Sequence, residues 1–430
     1  MRRVLAALVL VAALLSSCGG EDGGSGSGSG EERSVLADFR YDEFAGAFLQ
    51  YYPEKLEVRP GDTVQFRQAW TGEPHSVTLG KIVDDFIEVF PQLQEYPTVE
   101  AAQEGGVPDE VIDKAVQSYA RFPAMTDGFK TVPAGAEPCY VDDIDDAPVF
   151  RDVDTDIIDQ KATCPKGGKE QPPFNGRQAL YNSGFIPYSG ERGNSFTMPI
   201  AEDATPGTYQ YYCNYHFIFM GGSVEVVEPG TAIPSQAEVS RQARKEIEAD
   251  AERALKRVRD AEDRRMGDKI SETVQGPEGE TVNEVTLPLA GRATDDETPV
   301  MLNEFFPRKV TAKVGEKVTW TFDGASHTVS FNVPKYFPIF TVADSGRVEW
   351  DPQAYDPVGW DIPGVPRAFG PEDPEPIEAD VGRWDGKGGF RSSGALLPGD
   401  TFTVTFTKAG TYPFACVLHP QMVGTLVVSA

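Results

Sequence analysis

The chain is poor in three kinds of residue, and each shortage narrows what the protein can do. Basic side chains are few, with Lys+Arg 39 against Asp+Glu 67 and a formal net charge of −28. Neutralising phosphates requires basic patches, so this balance argues against nucleic acid as a partner. Beyond the first residues, no apolar run is long enough to cross a membrane. Histidine and cysteine are scarce, with His 4 and Cys 5 in 430 residues, so few such side chains are left for catalysis or metal binding.

The N-terminal stretch has the features of an export signal. Arg2 and Arg3 precede an apolar run at residues 4–15, which is short for a bilayer span and typical of a signal peptide. The sequence Leu-Ser-Ser-Cys18-Gly resembles a bacterial lipoprotein box, in which the cysteine becomes the lipidated N-terminus. Ordinary cleavage and an uncleaved anchor are the alternatives. We expect a signal peptide at 1–18, a flexible Gly/Ser tether at 19–33, and an exported protein anchored by lipid on the extracytoplasmic (periplasmic) face of the cell membrane.

A compact set of metal-ligand side chains lies close to the C-terminus. Cys416, His419 and Met422 form the pattern Cys-x2-His-x2-Met. A thiolate, an imidazole and a thioether at this spacing suit a metal that accepts soft sulfur and borderline nitrogen together, and copper is the leading candidate. A blue-copper site needs a second histidine as well. His327 is the only other histidine in this half of the chain, so we predict that it completes the set.

The same pattern occurs earlier in the chain. A Gly-Thr-Tyr segment precedes the cysteine by the same number of residues in both places, and segment 52–61 matches segment 306–315 at identical spacing. Since the matches are co-linear, the chain carries two copies of one domain. All four histidines occupy matched positions, and the first copy supplies the ligand set His75, Cys213, His216 and Met220.

The motifs Pro-His-Ser-Val and Ser-His-Thr-Val around the first histidines, and Gly-Thr-Tyr-x-Tyr-x-Cys and Gly-Thr-Tyr-x-Phe-x-Cys before the cysteines, are specific. On these motifs both halves resemble cupredoxins, the plastocyanin, amicyanin and azurin family of blue copper proteins. The resemblance implies an all-β fold, with two Greek-key β-sandwiches that carry loop and helix insertions. It also implies one type 1 copper per half, hence two per chain. The second loop has amicyanin-like spacing, whereas the first has one more residue before Met220, a gap that azurin-type loops also use.

The domain plan follows from these matches. We place the first cupredoxin domain at 34–229, a charged helical linker at 230–280 and the second domain at 281–430. The linker has a narrow apolar stripe on a charged helix. It is either a spacer, a helix that lies on one domain, or a coiled-coil partner site.

The first domain has a long insertion between His75 and Cys213. Apolar residues in segment 108–122 recur at helical spacing. Of the five cysteines, only Cys139 and Cys164 lie outside both the leader and the repeated ligand motifs. In an oxidising compartment we expect them to form a disulfide that closes the insertion.

The small number of histidines argues against a catalytic copper site. Multicopper oxidases and copper nitrite reductases resemble paired cupredoxins but need further histidines for additional coppers, and this chain has no histidine to spare. We therefore expect no enzyme but a carrier of single electrons between redox protein partners. Copper capture, storage or delivery is the alternative. The acidic surface either steers basic partners or simply keeps a secreted protein soluble.

Residues around His216 and His419 would form an apolar rim near an exposed edge, which suggests where partners dock. In the family, partners dock and electrons enter at an apolar rim around the histidine of the cysteine loop. Here the rim residues would be Tyr215, Phe217, Phe219, Leu418 and Pro420. Simple packing of the loop is the alternative interpretation.

The two loops also predict unequal sites. The extra residue before Met220 and the neighbouring apolar side chains at 217–219 favour a weaker axial ligand and a drier metal. On the loops alone we expect the first site to have the higher reduction potential.

Overall fold

The structure, a computed structural model, describes residues 30–38, 46–68, 74–93, 96, 99–122, 133–150, 159, 162, 164–166, 171–186, 195–267, 273–275, 281–286, 300–303, 305, 307–322, 326–334, 340–342, 348–365, 375–419 and 422–430. Strands dominate these residues, which confirms the all-β class expected from the sequence. Among them, no helix is long and apolar enough to cross a membrane.

Two sheets build the first half of the chain. One has the order β3-β1-β5-β9 and the other the order β4-β11-β10-β6-β8-β7. Along the fifth strand, buried and half-exposed side chains alternate, so one face of the strand lies on the core. The strands are β1 (Glu32–Ala37), β2 (Gly46–Phe48), β3 (Tyr51–Tyr52), β4 (Lys55–Val58), β5 (Thr63–Gln68), β6 (Ser76–Leu79), β7 (Cys139–Val141), β8 (Leu180–Phe185), β9 (Ser195–Pro199), β10 (Gly207–Cys213) and β11 (Phe217–Val226).

The second half repeats this topology. Its two larger sheets have the orders β12-β13-β16-β22-β20 and β15-β24-β23-β17-β21. In both halves a parallel pair lies beside an antiparallel partner in one sheet, and the cysteine strand lies at the centre of the other. The strands are β12 (Thr273–Gln275), β13 (Thr281–Thr286), β14 (Val300–Leu302), β15 (Lys309–Lys313), β16 (Lys317–Thr321), β17 (Ser330–Phe331), β18 (Phe340–Val342), β19 (Val348–Trp350), β20 (Glu378–Trp384), β21 (Arg391–Ser392), β22 (Thr401–Phe406), β23 (Gly410–Ala415) and β24 (Val423–Ser429).

Each half has its own hydrophobic core. Phe66 in the first half and Trp320 in the second occupy matched positions, and both are fully buried. The Phe66 ring meets Tyr211 edge-on at 5.1 Å, and the Trp320 ring meets Phe414 in the same way at 5.4 Å. A large aromatic on β5 or β16 therefore fixes the cysteine strand from the core side.

The insertion of the first half adds helices that cover the outer face of its larger sheet. Phe122 stacks on Tyr212, the residue before the cysteine, with ring centroids 4.3 Å apart, and Phe86 packs on Phe122 at 4.2 Å. The helix predicted at 108–122 is confirmed as Asp109–Arg121. The helices are α1 (Lys81–Leu93), α2 (Val99–Glu104), α3 (Asp109–Arg121) and α4 (Pro133–Ala136), followed by a 3-10 turn (Ile144–Asp146).

The linker forms one long helix, α5 (Gln236–Gly267), that lies on the first half. Its apolar stripe is buried at Val239, Ala243, Ile247, Ala251 and Ala254. The buried Asp250 carboxylate accepts a hydrogen bond from the Tyr52 hydroxyl, which ties the helix to β3. Of the arrangements considered for the linker, the helix on one domain is therefore the one observed.

Two features of the chain path were not expected. Strand β12 lies in the stretch assigned to the linker exit, where β-branched Thr273 and Val274 allow it to pair with β13. In addition, β2 of the first half pairs antiparallel with β14 of the second, so a two-stranded sheet joins the halves.

A short helix, α6 (Pro352–Tyr355), lies in the insertion of the second half and is capped by the Asp351 carboxylate.

Candidate metal centres

The first centre is assembled from the ends of two neighbouring strands. His75 directly precedes β6, Cys213 ends β10, and His216 lies in the turn that follows. The Cys213 sulfur lies 3.8 Å from Nδ1 of His75 and 3.6 Å from Nδ1 of His216. All three side chains are buried, so the set lies beneath the surface at one end of the sandwich.

The second centre has the same construction. The Cys416 sulfur, just after β23, lies 3.9 Å from Nδ1 of His327 and 3.5 Å from Nδ1 of His419. The two Nδ1 atoms are 3.0 Å apart. These side chains are buried as well.

Both sets fit a trigonally bound metal ion. Bonds of about 2.0 Å to nitrogen and about 2.3 Å to sulfur, as in zinc sites, place the nitrogen and sulfur atoms of a planar trigonal site about 3.7 Å apart. The four sulfur–nitrogen distances, 3.5 to 3.9 Å, bracket this value. Two imidazoles and one thiolate with a thioether nearby match the ligand preference of copper.

Strand register places the two methionines at matched positions. In the first half Tyr212 pairs with Gly221, and Met220 immediately precedes that glycine. In the second half Ala415 pairs with Val423, and Met422 immediately precedes that valine. Because the β10–β11 ladder shifts register between Tyr212 and Cys213, it absorbs the extra residue of the first loop. Both methionines are fully buried, each in the same core cluster as its cysteine.

The electrostatics favour a thiolate at each centre. Burial alone raises the pKa of Cys213, but His216 and His75 outweigh it and hold the pKa well below the usual thiol value. The pKa of Cys416 is lowered in the same way by its own two histidines. Since a metal binds the thiolate and not the thiol, both cysteines are prepared for metal binding.

Backbone donors point at each sulfur. The Ser76 N–H donates to Cys213 Sγ and the Thr328 N–H to Cys416 Sγ, both at 3.4 Å. The hydroxyls beside them close the loop after the cysteine. Ser76 Oγ accepts the Asn214 N–H at 2.8 Å, and Thr328 Oγ1 accepts the Val417 N–H at 2.9 Å.

The first centre contains one residue that sequence reasoning missed. Asp38, just after β1, lies with Oδ2 3.0 Å from Nε2 of His75, and neither side chain is exposed. Burial alone lowers the pKa of His75, but hydrogen bonds to Asp38 and Cys213 outweigh it and raise that pKa. The only available signal was an acidic residue directly after an alternating strand, Arg-Ser-Val-Leu-Ala-Asp38.

The remaining predicted site residues lie elsewhere. Cys139 and Cys164 form a disulfide in the insertion. Cys18, the side chains of Phe217 and Phe219, and Pro420 lie outside the described residues.

Only part of the expected apolar rim lies beside a histidine. The Tyr215 ring meets the His216 ring edge-on at 4.7 Å. Leu418 does not form an exposed rim, because its side chain is buried in the second core together with Val417.

Comparisons with known proteins match parts of this chain. Residues 296–429 match the model of a family described as copper binding proteins, plastocyanin/azurin family. Similar solved structures include a reduced Cu(I) form of an amicyanin variant, at 18% identity and a TM-score of 0.18, covering 34% of this chain and 80% of amicyanin. A purple cupredoxin from Nitrosopumilus maritimus shares 19% identity, with a TM-score of 0.17 and 34% and 98% of the two chains covered. No curated protein matched the chain.

Proposed function

We propose that this protein carries electrons one at a time through two type 1 coppers, a role that agrees with the match of residues 296–429 to the family of copper binding proteins, plastocyanin/azurin family. The observation that supports this most is the duplicated buried set of one thiolate and two Nδ1 atoms, each set with a buried methionine in the same core cluster.

The role of the protein is to fix the positions of these ligand side chains. Copper held by these ligands would supply one-electron chemistry between Cu(II) and Cu(I). In the second half, the Cys416 N–H donates to the Met422 carbonyl and the Met422 N–H to the His419 carbonyl, each at 2.9 Å, which closes the ligand loop on itself. A ligand set fixed by strands and backbone hydrogen bonds changes shape little between oxidation states, so electron transfer requires little rearrangement.

Differences in burial suggest how electrons enter and leave. His75 and His327 are 0% exposed, whereas His216 is 8% and His419 is 6% exposed. The histidines in the cysteine loops are therefore the ligands nearest to solvent, and we place the contact with redox protein partners there. The net charge of −28 would steer partners with basic surfaces to the protein.

We further propose that the protein is exported and held at the extracytoplasmic face of the membrane by lipid on Cys18. Cys18→Ser is then expected to move the protein from the membrane to the soluble fraction and to abolish lipid labelling. A soluble natural protein whose mature N-terminus is a residue other than Cys18 would contradict the anchor without affecting the copper sites.

Electron transfer and copper handling differ in what the protein releases. The test is rapid mixing of the oxidised copper-loaded chain with a small one-electron reductant and then with an oxidant, together with incubation with a copper-free acceptor protein. We expect complete, repeatable bleaching and recovery with copper retained. Transfer of copper to the acceptor, with slow or incomplete redox cycling, would instead support copper capture and delivery.

A further inference from the structure

The first centre contains a buried carboxylate on the far side of a ligand. His75 presents Nδ1 to the Cys213 sulfur at 3.8 Å, so Nε2, on the opposite side of its ring, is left to Asp38 at 3.0 Å. Both side chains are 0% exposed, and the contact therefore lies out of reach of solvent. With a metal on Nδ1, Nε2 carries the proton and donates it in a hydrogen bond to the carboxylate.

The backbone holds Asp38 in this position. Its φ of 62° lies in the left-handed region, which aspartate and asparagine tolerate better than most residues. Its N–H donates to the Gln50 carbonyl at 2.8 Å, and the parallel pairing of β1 with β5 fixes the strand that carries it. The carboxylate is thus presented by the fold and not by a mobile side chain.

We propose that Asp38 is a positioning residue for the first copper, which fixes the His75 ring and favours Cu(II) over Cu(I) at that site. A carboxylate that accepts the distal N–H makes the imidazole a more basic ligand. A buried negative charge close to the metal also stabilises the more highly charged oxidation state. Both effects lower the reduction potential, so Asp38 opposes the rise expected from the longer loop.

The sequence of the second half does not repeat Asp38. Strand register equates Leu36 with Thr286, since these residues pair with the matched Arg67 and Thr321. The position equivalent to Asp38 is then Pro288, which has no hydrogen-bonding side chain. The sequence of the second domain therefore has no carboxylate at this position.

The test uses the full chain with the second site silenced by Cys416→Ser. In that background, Asp38→Asn keeps the size and the tolerated backbone conformation but removes the charge. Asp62→Asn is the matched control, because Asp62 is also a buried carboxylate of this domain but accepts hydrogen bonds from the Glu31 and Arg59 N–H groups instead. The measurements are the reduction potential and the separate affinities for Cu(II) and Cu(I).

We expect Asp38→Asn to lower the affinity for Cu(II) about tenfold or more relative to Cu(I), and tenfold corresponds to a rise of about 59 mV in a one-electron potential. Asp62→Asn should leave the reduction potential and the relative affinity for Cu(II) and Cu(I) unchanged. A merely structural role would weaken both oxidation states equally, and that result, or an unchanged potential, would overturn the proposal. The inference rests on copper binding at the first site. A Cys416→Ser chain that binds no copper would refute that binding, a result distinct from an unaltered potential.

Discussion

At the scale of single residues, each centre depends on small polar groups around the thiolate. Ser76 and Thr328 both offer a backbone N–H to sulfur and a hydroxyl to the backbone after the cysteine. One residue thereby fixes the sulfur and the start of the ligand loop. This double use explains why a short hydroxyl side chain follows the first histidine in both copies.

Removing the hydroxyl is expected to destabilise the second domain. Thr328→Val preserves size but leaves the Val417 N–H buried without its acceptor, which costs about 1–3 kcal/mol. Chemical unfolding of the copper-free protein measures the loss. Thr328→Ser, which keeps the hydroxyl, should retain most of the free energy of unfolding of the natural protein. Equal decreases in the two variants would show that the hydrogen bond is not the cause.

A second residue-scale prediction concerns pH. Burial raises the pKa of Asp84 from 3.8 to about 6, although the Gln210 N–H donates to its carboxylate. A carboxyl whose pKa is raised in the folded state adds stability below pH 3.8 and loses it as pH rises through about 6. Asp84→Asn should therefore raise the free energy of unfolding at pH 7 by roughly 1–3 kcal/mol and by little near pH 4.

The control for the pH prediction is Asp113→Asn, which removes an exposed carboxylate from the same insertion. Substitutions of exposed side chains usually change the free energy of unfolding by no more than about 0.5 kcal/mol, and we expect no larger effect from this variant. If Asp84→Asn had the same effect at both pH values, burial of the charge would not be its cause.

At the scale of elements, the insertion of the first domain supports the strand that carries Cys213. Phe122 stacks on Tyr212, and the disulfide joins β7 to the returning segment at Cys164. The matching face of the second domain, around β23 and β24, leaves Val423 51% exposed. The two copies thus share their strands and ligands but differ in what covers their sheets.

The disulfide is expected to stabilise the first domain selectively. Its cysteines are 25 residues apart, and closing a loop of this length in the unfolded chain is worth about 3 kcal/mol on chain-entropy reasoning. Cys139→Ser with Cys164→Ser should lower the free energy of unfolding of the first domain by about that amount. Unfolding of the second domain is the internal control, and an unchanged first domain would show that the helices hold the insertion without the bond.

The elements also show what the sequence could and could not reveal. The ligand motifs, the repeat and the helix at 109–121 were predictable, because each is encoded in local spacing. Asp38 was not, since it is 37 residues from His75 and only the packing of strands brings the two together. The side of α5 that meets the first domain was visible as a stripe, but the stripe could not identify its partner.

At the scale of the whole molecule, the chain joins two matched sets of copper ligands. The halves are joined along the chain through helix α5, and strands β2 and β14 pair with each other across them. On the proposed function, two sites of different potential would let the chain accept an electron from one partner and donate it to another. This arrangement depends on both ligand sets binding copper.

The copper content of the purified chain, measured together with its visible spectrum, tests this most directly. We expect two coppers per natural chain and an intense absorption from thiolate-bound Cu(II). Cys213→Ser and Cys416→Ser should each retain one copper and roughly half of that absorption, with the double variant colourless. A natural chain that binds copper in only one domain, or binds two coppers without the thiolate absorption, would contradict the assignment of two type 1 sites.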